Sequence, residues 1–155
     1  MSLYPKSIGS IAMVVEDEDQ ALEFYTKKLG LSEVDRIRGP ATVKIGTSYL
    51  ELIEEQQDKE LRALNLATGS TDLSIDTTLN INQVIERLGE AGIVLLKGPE
   101  NKMVNQEEYQ AVYLRDPDEN LIEIRTSNLV DLNRADKNPG EADFDPLSQI
   151  PGIDK

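Results

Sequence analysis

Residues 10–31, SIAMVVEDEDQALEFYTKKLGL, carry the reading on which the fold rests. Ile11, Met13 and Val15 alternate with Ser10, Ala12 and Val14, the period of two that marks a strand with one face against a helix layer. Asp17, with Gln20 three residues on, resembles a capping box. Leu22, Tyr25 and Leu29 then recur at helical spacing until Lys27, Lys28 and Gly30 close the last turn. A strand from Ile8 to Val15 and a helix from Glu18 to Leu29 are expected. Residues 72–93, DLSIDTTLNINQVIERLGEAGI, repeat the pattern of strand, capped amphipathic helix, glycine stop and second strand. There Ile81, Val84, Ile85 and Leu88 form the helix stripe and Gly92 ends it. The two stretches look like copies of one module.

Outward from the first copy, LSEVDRIRG (31–39), ATVKIG (41–46) and SYLELIE (48–54) are short alternating segments parted by Gly39-Pro40 and Gly46-Thr47, an antiparallel meander. Residues 1–54 thus read as a βαβββ module and the polar stretch 55–70 as a linker. Residues 71–126 read as a second βαβββ module. Its strands are TDLSIDT (71–77), IVLLKGP (93–99), QAVYLRD (110–116) and NLIEIRT (120–126), with a turn at Asp116–Asn120. Glu100–Tyr109 reads as a loop, the longest insertion of this half. Residues 127–155 contain Pro139, Pro146 and Pro151 without periodicity and are expected to be a disordered or surface-hugging tail. The sharper alternative docks Phe144, Leu147 and Ile150 on a neighbouring subunit.

Composition narrows the chemistry. The 155 residues suffice for one compact unit or two small modules sharing a core. There is no cysteine and no histidine, so disulfides, thiolate ligands and the commonest proton-transfer side chain are absent. Asp, Glu, Lys, Tyr and the hydroxyls remain. With 16 basic and 29 acidic residues the formal charge is −13, which repels nucleic acid and anionic lipid. Neither nucleic acid nor membrane is an expected partner. No apolar run approaches the roughly 20 residues that span a bilayer, and MSLYPKSIGS has no signal-peptide pattern, so a cytoplasmic location is expected.

Period-two reading turns Leu50, Leu52, Leu73, Ile75, Val112, Leu114, Ile122 and Ile124 toward the helices. The opposite face then receives Ser10, Thr42, Lys44, Tyr49, Glu51, Asp72, Ser74, Asp76, Tyr113, Glu123 and Arg125, more polar than a second core requires. Equivalent positions of the two copies are Ser10, Glu51, Asp72 and Glu123. Three converging carboxylates need a positive partner. A hard cation held through oxygen is one remedy, and ion pairs to Lys44 and Arg125 are the other. Tyr49 and Tyr113 could stack on a ligand or simply pack. Arg36 and Arg38 could hold an anion or protect an edge strand. The acidic run Glu16–Asp19 is accounted for by the helix N-terminus.

SIAMVVEDEDQALEFYTKKLGL, together with VYLRDPDENLIEIR (112–125), resembles the opening strand and helix and the closing hairpin of the vicinal oxygen chelate superfamily. That superfamily includes glyoxalase I, bleomycin-resistance proteins and extradiol dioxygenases. The resemblance covers about residues 8 to 126. It implies an α+β fold in which two βαβββ modules form a curved mixed-sheet cup with helices outside, holding a small ligand, usually around a divalent metal. The family's metal ligands map onto Ser10, Glu51, Asp72 and Glu123. Members usually have histidine where this chain has Ser10 or Asp72, which sets extradiol dioxygenase chemistry aside. The resemblance implies a glyoxalase-type lyase or isomerase acting on a small vicinal-oxygen substrate, with Glu123 or Glu51 as the carboxylate base. Mg2+, Mn2+ or Ca2+ is then favoured over Zn2+ or Ni2+, and Lys44, Tyr49, Ser74, Tyr113 and Arg125 line the substrate pocket. The alternative is a metal-free protein that sequesters its ligand as bleomycin-resistance proteins do, and a third reading is an interaction module. Exposed sheet edges lead to the expectation of a homodimer. Glu119 stands where the family often has glycine, a change that bears on turn conformation.

Overall fold

Asp17 starts the first helix: its backbone is extended, and its carboxylate accepts from the Gln20 N–H at 3.0 Å, satisfying an amide that a helix end leaves unpaired. The computed structural model describes residues 2–35, 38–55 and 61–134. Strand β1 (Ser10–Val15) leads into α1 (Glu18–Glu23), whose course continues as a π turn over Phe24–Lys28. Strand β1 thus begins two residues later than expected. The helical course matches the expected one, but the π turn changes its inner face. Adjacent Phe24 and Tyr25 are both buried, their rings edge to face with centroids 5.2 Å apart. Leu22 and Leu29, expected in the stripe, are half-buried.

Strands β2 (Ser32–Glu33), β3 (Ala41–Ile45) and β4 (Ser48–Glu54) complete a four-stranded sheet in the order β1-β4-β3-β2. Of LSEVDRIRG, the described part contributes only the two residues of β2, and Arg36 lies outside the described residues. Strand β1 runs parallel to β4, with Ser10 opposite Tyr49 and Ala12 opposite Glu51. Antiparallel β3 sets Lys44 opposite Tyr49 and Thr42 opposite Glu51. Two rows therefore cross the sheet, Lys44-Tyr49-Ser10 and Thr42-Glu51-Ala12.

The second sheet comprises β5 (Asp72–Thr77), β6 (Lys97–Val104), β7 (Glu107–Arg115) and β8 (Leu121–Thr126), in the order β5-β8-β7-β6. This is the order of the first sheet, so the repeat in sequence is a repeat in topology. Helix α2 (Ile81–Glu90) is held at its start by a reciprocal capping box between Asn80 and Gln83, both bonds 2.9 Å, and buries Ile81, Val84 and Leu88. Of the positions expected to face the helices, Leu50, Leu52, Ile75, Val112, Leu114, Ile122 and Ile124 are buried and Leu73 is half-buried.

Two sequence expectations in this half are corrected. Glu100–Tyr109 is not a loop: β6 and β7 form a hairpin through it, turning at Asn105 and Gln106, whose φ angles are +51° and +68°. Two successive left-handed residues belong to the hairpin turns usually built with glycine, and the lack of glycine hid this one. The apolar run Ile93–Leu96 is not strand, with Val94 86% and Leu96 54% exposed, and β6 begins only at Lys97.

The described residues divide into two compact units, one running to Ile75 and taking in Leu114–Ile122, the other holding Asp76–Tyr113 and Glu123 onward. The turn Asp116–Asn120 therefore belongs with the first sheet's unit. Buried Asp116 organises it, accepting from the Tyr25 phenol at 2.6 Å and from the Asn120 side-chain amide and the N–H groups of Asp118 and Asn120 at 2.9 Å each. Asp118 accepts from the Glu16 N–H at 3.0 Å, and Asn120 from the Thr71 N–H at 2.9 Å. In the other unit, the start of the expected tail is tied down: Gln110 donates to the Val130 carbonyl at 2.6 Å and accepts from its N–H at 3.0 Å. Phe144, Leu147 and Ile150 lie outside the described residues. No helix among the described residues is long and apolar enough to cross a membrane.

Candidate functional site

In the first unit, strand alternation puts Ser10, Lys44, Tyr49 and Glu51 on the face of the sheet turned away from buried Leu50 and Leu52. Ser10 and Lys44 are exposed, Tyr49 is 40% exposed, and Glu51 is half-buried. Glu51 is not paired with Lys44. Its partner is Arg62, whose Nη1 stands 3.5 Å from Oε1. Arg62 comes from the stretch read as a linker. That stretch also walls a pocket of about 230 Å³ whose floor is Ala12 and Val14 of β1 and Ile53 of β4. Asp72 is exposed at the first position of β5, and Ser74 is exposed two residues on.

In the second unit Glu123 is the buried acid, its side chain 5% exposed. Its Oε2 accepts from the Lys102 ammonium on β6 and from the Tyr113 phenol on β7 at 2.9 Å, and Lys102 also donates to the Tyr113 oxygen at 3.4 Å. Glu123 holds Lys102 protonated above the usual ammonium range, against the opposing effect of desolvation. Burial, followed by the bond to Glu123, raises the Tyr113 phenol. Both neighbours are thus donors at neutral pH and neither is a base. Arg125 donates through Nε to Asp76 and lies over the Tyr109 ring, 5.0 Å from its centroid. Lys97, and after it Tyr113, keeps Glu100 below the usual carboxylate range.

The ion-pair remedy expected from Lys44 and Arg125 is therefore present with other pairings: Arg62 with Glu51, Lys102 with Glu123, and Arg125 with Asp76. Sequence reading missed Lys102 because its segment looked like a loop, and Arg62 because its segment looked like a spacer. The signal for the first was Asn105-Gln106, a pair able to adopt left-handed backbone; for the second there was none. Among the described residues no three Asp or Glu side chains are grouped so as to hold a metal, and the two glutamates are already engaged by basic groups. Such pairs satisfy the charge that an ion would otherwise neutralise.

Residues 7–124 match the model of the Glyoxalase/Bleomycin resistance protein/Dioxygenase superfamily. Virulence protein STM3117 of Salmonella typhimurium is 32% identical over 117 residues, 76% of this chain and 81% of that protein. Its crystal structure superposes with a TM-score of 0.75 over 80% of this chain and 98% of its own. Glyoxalase domain-containing protein RDO1 of Mycosarcoma maydis is 30% identical over 119 residues, 77% of this chain and 67% of that protein. TnmS3 of Streptomyces sp. CB03234, described as an antibiotic binding protein, shares the fold, with 20% identity and a TM-score of 0.66 over 81% of this chain and 98% of its own. Matched along most of its length and carrying the repeated strand order in both halves, the chain belongs to the Glyoxalase/Bleomycin resistance protein/Dioxygenase superfamily.

Proposed function

We propose that this chain is a metal-free binding protein for a small organic molecule and not a divalent-metal lyase. The observation that carries this reading is Glu123, a buried carboxylate whose Oε2 accepts from both Lys102 and Tyr113. A metal at this position would have to displace an ammonium bonded to the same oxygen. A general base needs a carboxylate oxygen open to the substrate's proton, and two donors already hold Oε2 of Glu123. Glu51, the other candidate base, faces the Arg62 guanidinium through one longer contact of 3.5 Å, which favours its ionised form. The fold accommodates the binding role, since TnmS3, which shares it, is an antibiotic binding protein.

Equilibrium dialysis against Mg2+, Mn2+, Ca2+, Zn2+ and Ni2+ in turn, with metal content and melting temperature read afterwards, tests this. The expected result is no stoichiometric uptake and no ion-dependent rise in melting temperature, for the wild type and for Glu123→Gln alike. Uptake of one ion per chain that Glu123→Gln abolishes would restore the metal-dependent lyase.

A further inference from the structure

The pocket in the first unit is lined by the apolar residues Ala12, Val14, Ile53, Leu61, Leu66 and Ala67, among polar groups that supply most of its exposed surface. Asn65, Ser70 and Thr71 supply polar edges, and among the described residues Arg62 is the one charged residue that lines it. Glu51, which holds Arg62, does not line the pocket. The hold is loose: a single Nη1 to Oε1 contact at 3.5 Å, the outer limit of a hydrogen bond. A guanidinium has five N–H donors in a planar fork, suited to gripping a carboxylate through two short parallel bonds. Arg62 is also only 22% exposed, so its charge is partly desolvated and screened less than a surface charge.

We infer that this pocket takes a small carboxylate with a hydrocarbon body, and that Arg62 is its anion anchor. This rests on the metal-free binding reading and names the ligand class for it. The hydrocarbon covers the floor formed by Ala12, Val14 and Ile53, while the carboxylate takes the Arg62 fork and displaces the long contact to Glu51. A cavity of about 150 Å³ holds benzene, so one of 230 Å³ admits a ring with a short acid arm, about ten heavy atoms in all. The overall charge of −13 opposes an approaching anion, but screening over about 8 Å at physiological salt leaves the choice at the pocket to Arg62. Among the described residues no carboxylate lines the pocket to favour a cationic ligand.

The test is a two-dimensional amide NMR titration of the full chain, in physiological salt, with phenylacetate, 2-phenylethanol and phenethylamine. These share a ring and differ in charge. Phenylacetate is expected to shift the amides of residues 12–14, 53 and 61–71 saturably and to bind at least about tenfold more tightly than the other two. Arg62→Gln removes that preference, and Arg62→Lys restores part of it. Glu51→Gln strengthens phenylacetate binding by removing the competitor, and Ala67→Trp blocks it without lowering the melting temperature. Preference for the amine, equal binding of the alcohol, no saturable shift at these amides, or indifference to Arg62→Gln each overturns the assignment. The two readings fail separately. Stoichiometric metal uptake with phenylacetate still on Arg62 removes the metal-free reading alone, and no uptake with no acid bound removes this site alone.

Discussion

Tyr25 and Asp116 are 91 positions apart in the chain, and the phenol of the first donates to the carboxylate of the second at 2.6 Å. This bond fastens the π turn in the first helix to the Asp-Pro-Asp-Glu-Asn turn. It closes the four-donor shell of a carboxylate that is itself buried.

Tyr25→Phe keeps the ring and removes the donor. The loss is expected to be about 1–3 kcal/mol in urea unfolding at neutral pH, because a buried acceptor loses a charge-assisted bond. A pH signature identifies the cause. Burial, then the hydrogen bond to Asp116, raises the Tyr25 phenol far above its usual value of 10.0. A raised pKa means that the unfolded phenol ionises first. The stabilisation is therefore whole below pH 10.0 and declines above it. The gap between wild type and Tyr25→Phe should narrow by about 1.4 kcal/mol per pH unit above that point. A gap that stays constant to pH 11 would assign the loss to packing alone.

Glu119 sits two residues from a proline with φ at +68°, a left-handed conformation that disfavours a side chain. Glu119→Gly is expected to raise stability by about 0.5–1 kcal/mol, the relief of strain less the entropy that glycine adds to the unfolded chain. Glu119→Ala, which keeps Cβ, should give no gain. Equal effects of the two in chemical denaturation would point to side-chain charge instead.

Gly98 works in the opposite sense. Its φ is +106°, and an added Cβ would meet the Ala111 carbonyl oxygen at 2.7 Å and the Val112 Cα at 3.0 Å, both backbone atoms that cannot rotate away. The β6–β7 register shifts between Lys97 and Glu100, around this residue. Gly98→Ala is expected to cost more than about 2 kcal/mol and to lower the melting temperature by several degrees. An unchanged melting curve would show that the two strands part here freely.

Lys102→Met removes the ammonium that faces buried Glu123 while keeping the length of the chain. The expected cost is about 1–3 kcal/mol, reduced from that of a fully buried pair because Lys102 is 30% exposed. Glu123→Gln should cost less, since its amide oxygen still accepts from Lys102 and Tyr113. Glu123 raises the Lys102 pKa, so the pair's contribution is intact below the ordinary ammonium value of 10.5 and fades as pH rises past it. The reverse order of costs would show that the carboxylate is stable without the lysine.

The repeat, the capped helices and the inward faces of the strands are legible in the residues alone. Each is a local property: residues 10–31 and 72–93 state their periods within one or two turns of chain, and Asp17, Asn80 and Gly92 act on neighbours. The sequence also placed Glu51 and Glu123 on equivalent strands, because alternation along a strand assigns a face without knowledge of the partner strand. What it left open was the company those glutamates keep. That Glu51 meets Arg62, and that Glu123 meets Lys102 and Tyr113, emerges only when the chain is folded. A cross-strand neighbour depends on register, register depends on the turn, and the turn at Asn105 and Gln106 forms without the glycine that announces such turns. The link between Tyr25 and Asp116 was closed to sequence reading for a related reason, since no local pattern encodes which distant residue a buried side chain will face.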